Sequence, residues 1–212
     1  MATSAADFLP SRLNLMALRR ASKVCEGCEL YKNATQTVFG AGPASAVAVF
    51  VGEQPGDVED IQGEPFVGPA GKLFDKLLTE AGIDRQAVYV TNAVKHFKWK
   101  PRGKRRMHAK PGLREIAACR PWLEAELEVV QPPILVCLGA TAAQSLLGKT
   151  FKLTQQRGQP MTTDWAAWTM ATYHPSALLR SYDLPGGDAM YEAFVSDLHL
   201  VAEQIQHQLS TR

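Results

Sequence analysis

At 212 residues, with 46% hydrophobic and 21% charged side chains, the chain is long enough to fold on one hydrophobic core and too apolar for extensive disorder. No run approaches about 18 apolar residues, so a membrane-spanning helix is excluded. A net charge of +2 excludes a uniformly basic nucleic-acid binder, and any such partner must be met by a local concentration of cations. The N-terminus has acidic Asp7 early and no apolar stretch leading to a small-residue cleavage site, so a signal peptide is not expected and the cytoplasm is the expected compartment.

In chain order, the apolar residues Phe8, Leu9, Leu13, Leu15, Met16 and Leu18 recur at helical spacing and predict an amphipathic helix over Ala5 to Lys23. Apolar runs at Val47 to Gly52, Ala87 to Ala93, Ile134 to Gly139 and Trp168 to Tyr173 predict four buried strands. Helical patterns lie between them at Gly71 to Ala81, Leu113 to Val130 and Thr141 to Leu147, and a last helix covers about Asp188 to Leu209. Val-rich strands alternating with helices predict one domain over residues 1–212: a three-layer α/β/α sandwich around a mainly parallel four-stranded sheet. In such sheets ligands bind beyond the carboxyl ends of the strands. The unusual segments fall there: GEQPGD (Gly52 to Asp57), TNAVKH (Thr91 to His96), LGAT (Leu138 to Thr141) and YHPS (Tyr173 to Ser176). One shared mouth is the economical inference.

Two glycine-rich segments fail as phosphate cradles. GEQPG lacks the G-x-G-x-x-G spacing, and in FVGPAGKL the residue Phe66 stands where a P-loop needs its first glycine. Lys95 to Lys110 reads KHFKWKPRGKRRMHAK, eight cations without an acid. A charge run is ordinarily a solvated loop. Here Phe97 and Trp99 alternate with the cations, as single-strand binders alternate stacking faces with phosphate contacts, which favours a nucleic-acid partner for a basic loop at 97–110.

Cys25 and Cys28 form a CEGC pair, Cys119 lies on a helix, and Cys137 sits inside an apolar strand as a small core residue. A disulfide framework is not expected in a cytoplasmic domain of this size. A C-x-x-C pair with distant ligands suits zinc or an iron–sulfur cluster, with a thioredoxin-like redox pair as the competing reading. Three cysteines leave a fourth position, for which His96 is the candidate.

Taken together, CEGCELY, GEQPGDVED, GEPFVGPAGKL, YVTNAVKH, ACRPWL, LGATAA and HPSALLR, in that order over nearly the whole chain, resemble the iron–sulfur uracil-DNA glycosylases of the family-four type. Two departures resemble the UdgX-type branch of that family: His96 where family-four members carry a cysteine, and a long basic insert containing KRRMH, which ends in His108. The resemblance implies the uracil-DNA glycosylase fold and a [4Fe-4S] cluster on Cys25, Cys28, His96 and Cys119, with the segment 1–35 contributing to it. It implies uracil-containing DNA as partner, with the uracil flipped out of the stack, and a monomer.

The resemblance also implies roles. Phe66 would stack on the uracil, Asn92 would read its edge, and Gly52 and Ser176 would line the same pocket. The polar group Glu53, Gln54 and Asp57 would act at bond cleavage, and His174 would stabilise the departing base. His108, oriented by Glu53, would attack the sugar and remain bound to the abasic DNA, while Lys104, Arg105, Arg106 and Arg180 hold phosphates. The rival readings are an ordinary turnover enzyme in which His108 only contacts DNA, and a non-catalytic iron–sulfur module that binds nucleic acid.

Overall fold

The computed structural model of the chain describes residues 4–211. After a 3-10 turn at Ala5–Phe8, α1 spans Leu15–Ser22 and a second 3-10 turn covers Glu29–Lys32. Then follow β1 (Ala48–Gly52), α2 (Asp57–Gln62), α3 (Pro69–Glu80), a 3-10 turn at Arg85–Ala87 and β2 (Val88–Asn92). The hairpin β3 (Trp99–Arg102) and β4 (Arg105–His108) leads into α4 (Leu113–Val130), β5 (Ile134–Leu138), α5 (Ala140–Leu147) and α6 (Leu153–Gln156). The chain ends with β6 (Trp168–Thr172), α7 (Pro175–Ser181) and α8 (Gly187–Ser210). Among the described residues no helix is long and apolar enough to cross a membrane.

The strands β1, β2, β5 and β6 form one parallel sheet in the order β2-β1-β5-β6. Successive side chains on a strand face opposite sides. Ala48 and Phe50 of β1 therefore join Val88, Val90, Ile134, Val136 and Met170 under α3 and α8, where Phe50 meets Phe74 edge-on with ring centroids 5.1 Å apart. Val49 and Val51 join Tyr89, Leu135, Cys137 and Ala171 under α4 and α5. The expected three-layer α/β/α sandwich is the observed one. The strand order reverses between β1 and β5, which places a crevice at the carboxyl ends of those two strands.

Two expectations need correction. The helix expected over Ala5 to Lys23 is broken. Pro10 lacks an N–H and holds Leu9 in an extended conformation (φ −65°, ψ 135°). The helix restarts only where the Asn14 side chain accepts the Ala17 N–H at 2.9 Å. The basic segment expected as a loop at 97–110 is largely a two-stranded hairpin, with Trp99 opposite His108 and Arg102 opposite Arg105. Its two-residue turn puts Gly103 at positive φ (+59°), as a type II′ turn requires of its first central residue.

Candidate active site

A cavity of about 920 Å³ opens at the carboxyl ends of the sheet strands. Its floor converges on Gly52, the last residue of β1. A Cβ there would stand 2.4 Å from Asn92 Oδ1, 3.0 Å from Phe66 Cζ and 3.3 Å from His174 Nε2. Gly52 and Asn92 are direct neighbours across the parallel ladder. The sequence-predicted Gly52, Phe66, Asn92 and His174 thus meet at one point, and the three side chains approach this closely only because residue 52 has none.

Phe66 is held at φ +60°, which costs an L-residue on the order of 1 kcal/mol and needs the surroundings to enforce it. Two contacts enforce it. A Cβ on Gly71 would lie 1.8 Å from the Phe66 carbonyl oxygen, so only glycine lets α3 start this close to the loop. The buried Glu59 carboxylate accepts the Gly68 N–H at 2.9 Å and ties the loop to α2. The Phe66 ring lies 5.5 Å from Phe74 and near-parallel to the His174 ring at 6.2 Å.

His174 has two jobs that fit together. Its Nδ1 accepts the Ser176 N–H at 3.1 Å and caps α7. A nitrogen that accepts leaves the proton on the other, so Nε2 is the donor facing the cavity floor. Burial, with Arg180 and His108 adding to it against the opposing pull of Glu53, holds this imidazole down to about 4. It is neutral at physiological pH. Ser176 Oγ sits 2.9 Å from the same Nδ1 and accepts from Arg180 at 3.0 Å, so Ser176 lines the cavity mainly as part of this cap.

At the mouth, Glu53 Oε1 lies 3.3 Å from His108 Nε2, and its other oxygen accepts from the Thr141 hydroxyl. Burial alone would raise the Glu53 carboxyl. The hydrogen bonds from His108 and Thr141, with the nearby imidazoles, hold it below the ordinary carboxylate range, so it stays ionised. His108 is half exposed, at the end of β4, with its ring 6.3 Å from Phe97. An imidazole, an ionised carboxylate and a neutral N–H donor therefore share one cavity.

Gln54 and Asp57 line the same cavity and also serve the hairpin. Gln54 is buried: its Nε2 donates to the carbonyls of Lys98 and Ala109, and its Oε1 accepts the Lys98 N–H, all at 3.1 Å. It clamps the two feet of the hairpin together. Arg106 does not face outward with the other cations. It pairs with Asp57 and with fully buried Asp60, each at 2.6 Å, donates to Thr35 Oγ1 at 3.2 Å, and lies over the rings of Phe97 (5.5 Å) and Trp99 (5.7 Å). Phe97 is buried, and Trp99 donates its ring N–H to the Asn33 carbonyl at 2.9 Å. The aromatics expected as stacking platforms are thus packing for the hairpin. Lys104 and Arg105, at its tip, are exposed, as is Arg180.

Cys25, Cys28 and Cys119 gather in a separate apolar cluster between α1 and α4. Two N–H donors aim at sulfur: Trp122 Nε1 at Cys25 Sγ and the Lys95 amide at Cys119 Sγ, each at 3.2 Å. His96, next to Lys95, is buried, and burial, against the opposing pull of Asp60, holds its imidazole down to about 4 and neutral. Among the described residues no three His, Cys, Asp or Glu side chains close on one point as for a single metal ion. Cys137 lies in the sheet core, where burial pushes its thiol up to about 12.

Sequence reasoning assigns no role to Glu59, Asp60, Thr141, Lys95 or Glu126, although Thr141 and Lys95 lie in segments it brings to the mouth. In the sequence Lys95 is one cation of the basic run, yet it is fully buried in an ion pair with Glu126.

The chain matches the family model of the uracil DNA glycosylase superfamily over residues 39–199. It is 43% identical to the type-4 uracil-DNA glycosylase of Thermotoga maritima over 162 residues, which covers 75% of this chain and 80% of that one. The type-4 uracil-DNA glycosylase of Archaeoglobus fulgidus is 39% identical over 163 residues, 73% of this chain and 78% of its own. That of Saccharolobus solfataricus is 34% identical over 190 residues, 85% and 83% of the two chains.

Proposed function

The chain belongs to the uracil DNA glycosylase superfamily, and on that premise we propose that it excises uracil from DNA and then captures the abasic site through His108. The observation that carries the reading is the Glu53–His108 contact, which opens onto the same cavity as Phe66, Asn92 and His174, the three side chains that meet at Gly52.

A flipped uracil lies in the cavity flat against Phe66, with its edge on the Asn92 amide. As the N-glycosidic bond breaks, its electron pair leaves with the uracil, and the sugar carbon becomes oxocarbenium-like. His174 Nε2–H meets the negative charge on the departing base. A fixed donor at a buried site is worth roughly 3–4 kcal/mol in such a role. The ionised Glu53 stabilises the cationic sugar. The unprotonated ring nitrogen of His108 then gives its lone pair to the sugar carbon, and the proton on its other nitrogen passes to Glu53. The product is a C–N bond between protein and abasic DNA, with uracil released. Were water to attack in place of His108, the same Glu53 would take the proton and the enzyme would turn over.

Cys25, Cys28, Cys119 and His96 fit a [4Fe-4S] cluster: soft thiolates and a neutral imidazole in an apolar shell with N–H groups aimed at sulfur. Such a cluster would cross-link the N-terminal segment, the turn after β2 and α4, and no step above uses its electrons. The four cysteines form no disulfide among the described residues, which leaves Cys25, Cys28 and Cys119 available as ligands; the proposed setting is the cytoplasm and the proposed state a monomer.

The test is incubation with a labelled uracil-containing single-stranded oligonucleotide, followed by a denaturing gel. Covalent capture predicts a band heavier by the mass of the protein, stable to heat and detergent, absent with thymine and absent for His108→Ala. An unshifted strand with alkali-labile breaks at uracil replaces capture by turnover. Intact uracil removes the glycosylase reading and leaves a DNA-binding module. Iron content and visible absorption of the purified protein test the cluster separately. Cys119→Ala should abolish both, and Cys137→Ala should leave them unchanged.

A further inference from the structure

Lys95 and Glu126 form an ion pair with no solvent exposure beneath the site. The ammonium spends its three protons on the Glu126 carboxylate, on Thr91 Oγ1 at 2.6 Å and on the backbone carbonyl of Asn92 at 2.8 Å. Glu126 is itself fixed from three directions, by the Gly40 N–H at 3.0 Å, the Tyr89 hydroxyl at 2.8 Å and Thr91. A buried pair of this kind is a poor way to gain stability, because well-packed apolar side chains of the same volume serve as well or better. Its geometry has another use. The Asn92 side-chain amide makes no hydrogen bond within the described residues and opens onto the cavity, so the backbone that carries it sets its aim. That backbone is where Lys95 holds.

We infer that Lys95, locked by Glu126, is a positioning residue that fixes the Asn92 peptide and so aims its amide at the edge of the bound base. The inference rests on the uracil-excising reading of the cavity. It also explains why the turn from Asn92 to His96 is so closely held: the same residue that reaches back to Asn92 donates its amide forward to Cys119. The site and the cysteine cluster meet at Lys95.

The test is the double variant Lys95→Met/Glu126→Gln, which removes both charges while the amide introduced at position 126 keeps an acceptor for Gly40 and Tyr89. It should melt within about 5 °C of the native protein and keep the native visible absorption and DNA affinity. Its single-turnover rate of uracil release should fall about 10- to 100-fold, the cost of a misaimed group. Asn92→Ala, damaging in the native background, should cost less than about threefold on top of the double variant, since the two act as a unit. A folded double variant that releases uracil within about twofold of the native rate, or an Asn92→Ala loss equal in both backgrounds, overturns the inference. Should the double variant not fold, Thr91→Val carries the same comparison, with an expected loss of about three- to tenfold and the same non-additivity. A native protein that leaves uracil in place overturns the glycosylase reading and this inference together. Native excision with an unaffected variant overturns the role of Lys95 alone.

Discussion

Replacing Arg106 by methionine removes two ion pairs, two further hydrogen bonds (to Thr35 Oγ1 and the Asp57 carbonyl) and two ring contacts while keeping much of the side chain's volume. The losses are unequal. Asp57 is half exposed, so its pair contributes less than about 1 kcal/mol. Asp60 has no exposure, and without Arg106 it keeps only the Thr35 N–H and hydroxyl, so the change strands a buried carboxylate. Removing one partner of a buried pair costs about 3–5 kcal/mol, and the two surviving bonds reduce this to roughly 2–3 kcal/mol. The cost falls on docking of the hairpin rather than on the sheet, because Arg106 joins β4 to α2 and the loop at Thr35. At about 1.4 kcal/mol per decade, the docked hairpin population falls by about 30- to 150-fold relative to the undocked. Hydrogen exchange should show lost protection over 99–108 with the sheet unchanged, and uracil capture should fall with it. Asp60→Asn in the Arg106→Met background should recover part of both, because the stranded charge is gone. Capture that falls while hairpin protection stays native would refute this reasoning and return Arg106 to a phosphate-holding role.

Three further outcomes follow from the geometry. Gly52→Ala places a Cβ 2.4 Å from Asn92 Oδ1 and forces that amide aside, so uracil release should drop at least about 100-fold in a protein that still folds; wild-type release would show that Asn92 does not read the base. Lys104→Ala and Arg105→Ala should each lower the slope of log affinity against log salt by about one without changing the saturated single-turnover rate, and an unchanged slope would remove the hairpin tip from the phosphate path. His174 is held down to about 4, against an ordinary value of 6.5. Between those pH values the unfolded chain takes up a proton that the folded one refuses, so the stability tied to His174 is complete above 6.5 and falls as pH drops toward 4. His174→Asn should flatten that part of the Tm–pH curve relative to the native protein, and parallel curves would contradict the buried neutral imidazole.

The four sheet strands were legible because buried parallel strands are short, continuous apolar runs, and α4 was legible over Leu113 to Val130 even with Pro121 inside it. The N-terminal segment misled because apolar spacing says nothing of Pro10. The hairpin carried a readable sign, a glycine at the centre of matched four-residue arms, that the density of charge obscured. The cavity floor followed from residues at strand ends, where topology alone brings Gly52, Asn92 and His174 together. Burial of charge was not legible. Nothing in KHFKWK distinguishes Lys95, with no exposure, from exposed Lys100, and nothing in GDVED marks Glu59 and Asp60 as interior. Which charges turn inward depends on partners brought from 9 to 46 positions away, such as Gly68 for Glu59 and Arg106 for Asp60.

The feet of the hairpin stand side by side, with the Ala109 N–H on the Lys98 carbonyl at 2.9 Å and Gln54 bracing both. An excursion that leaves and rejoins the main body at one spot is interchangeable, since its length and content alter neither neighbour's path and each doubling of a loop costs only about 0.6 kcal/mol. The segment between Lys98 and Ala109 is therefore a socket. A plain turn fitted there would strip the cavity of His108 but would also leave buried Asp60 without Arg106, so it needs Asp60→Asn beside it, whereas a longer arm that keeps Arg106 would extend the reach over nucleic acid from the same foundation.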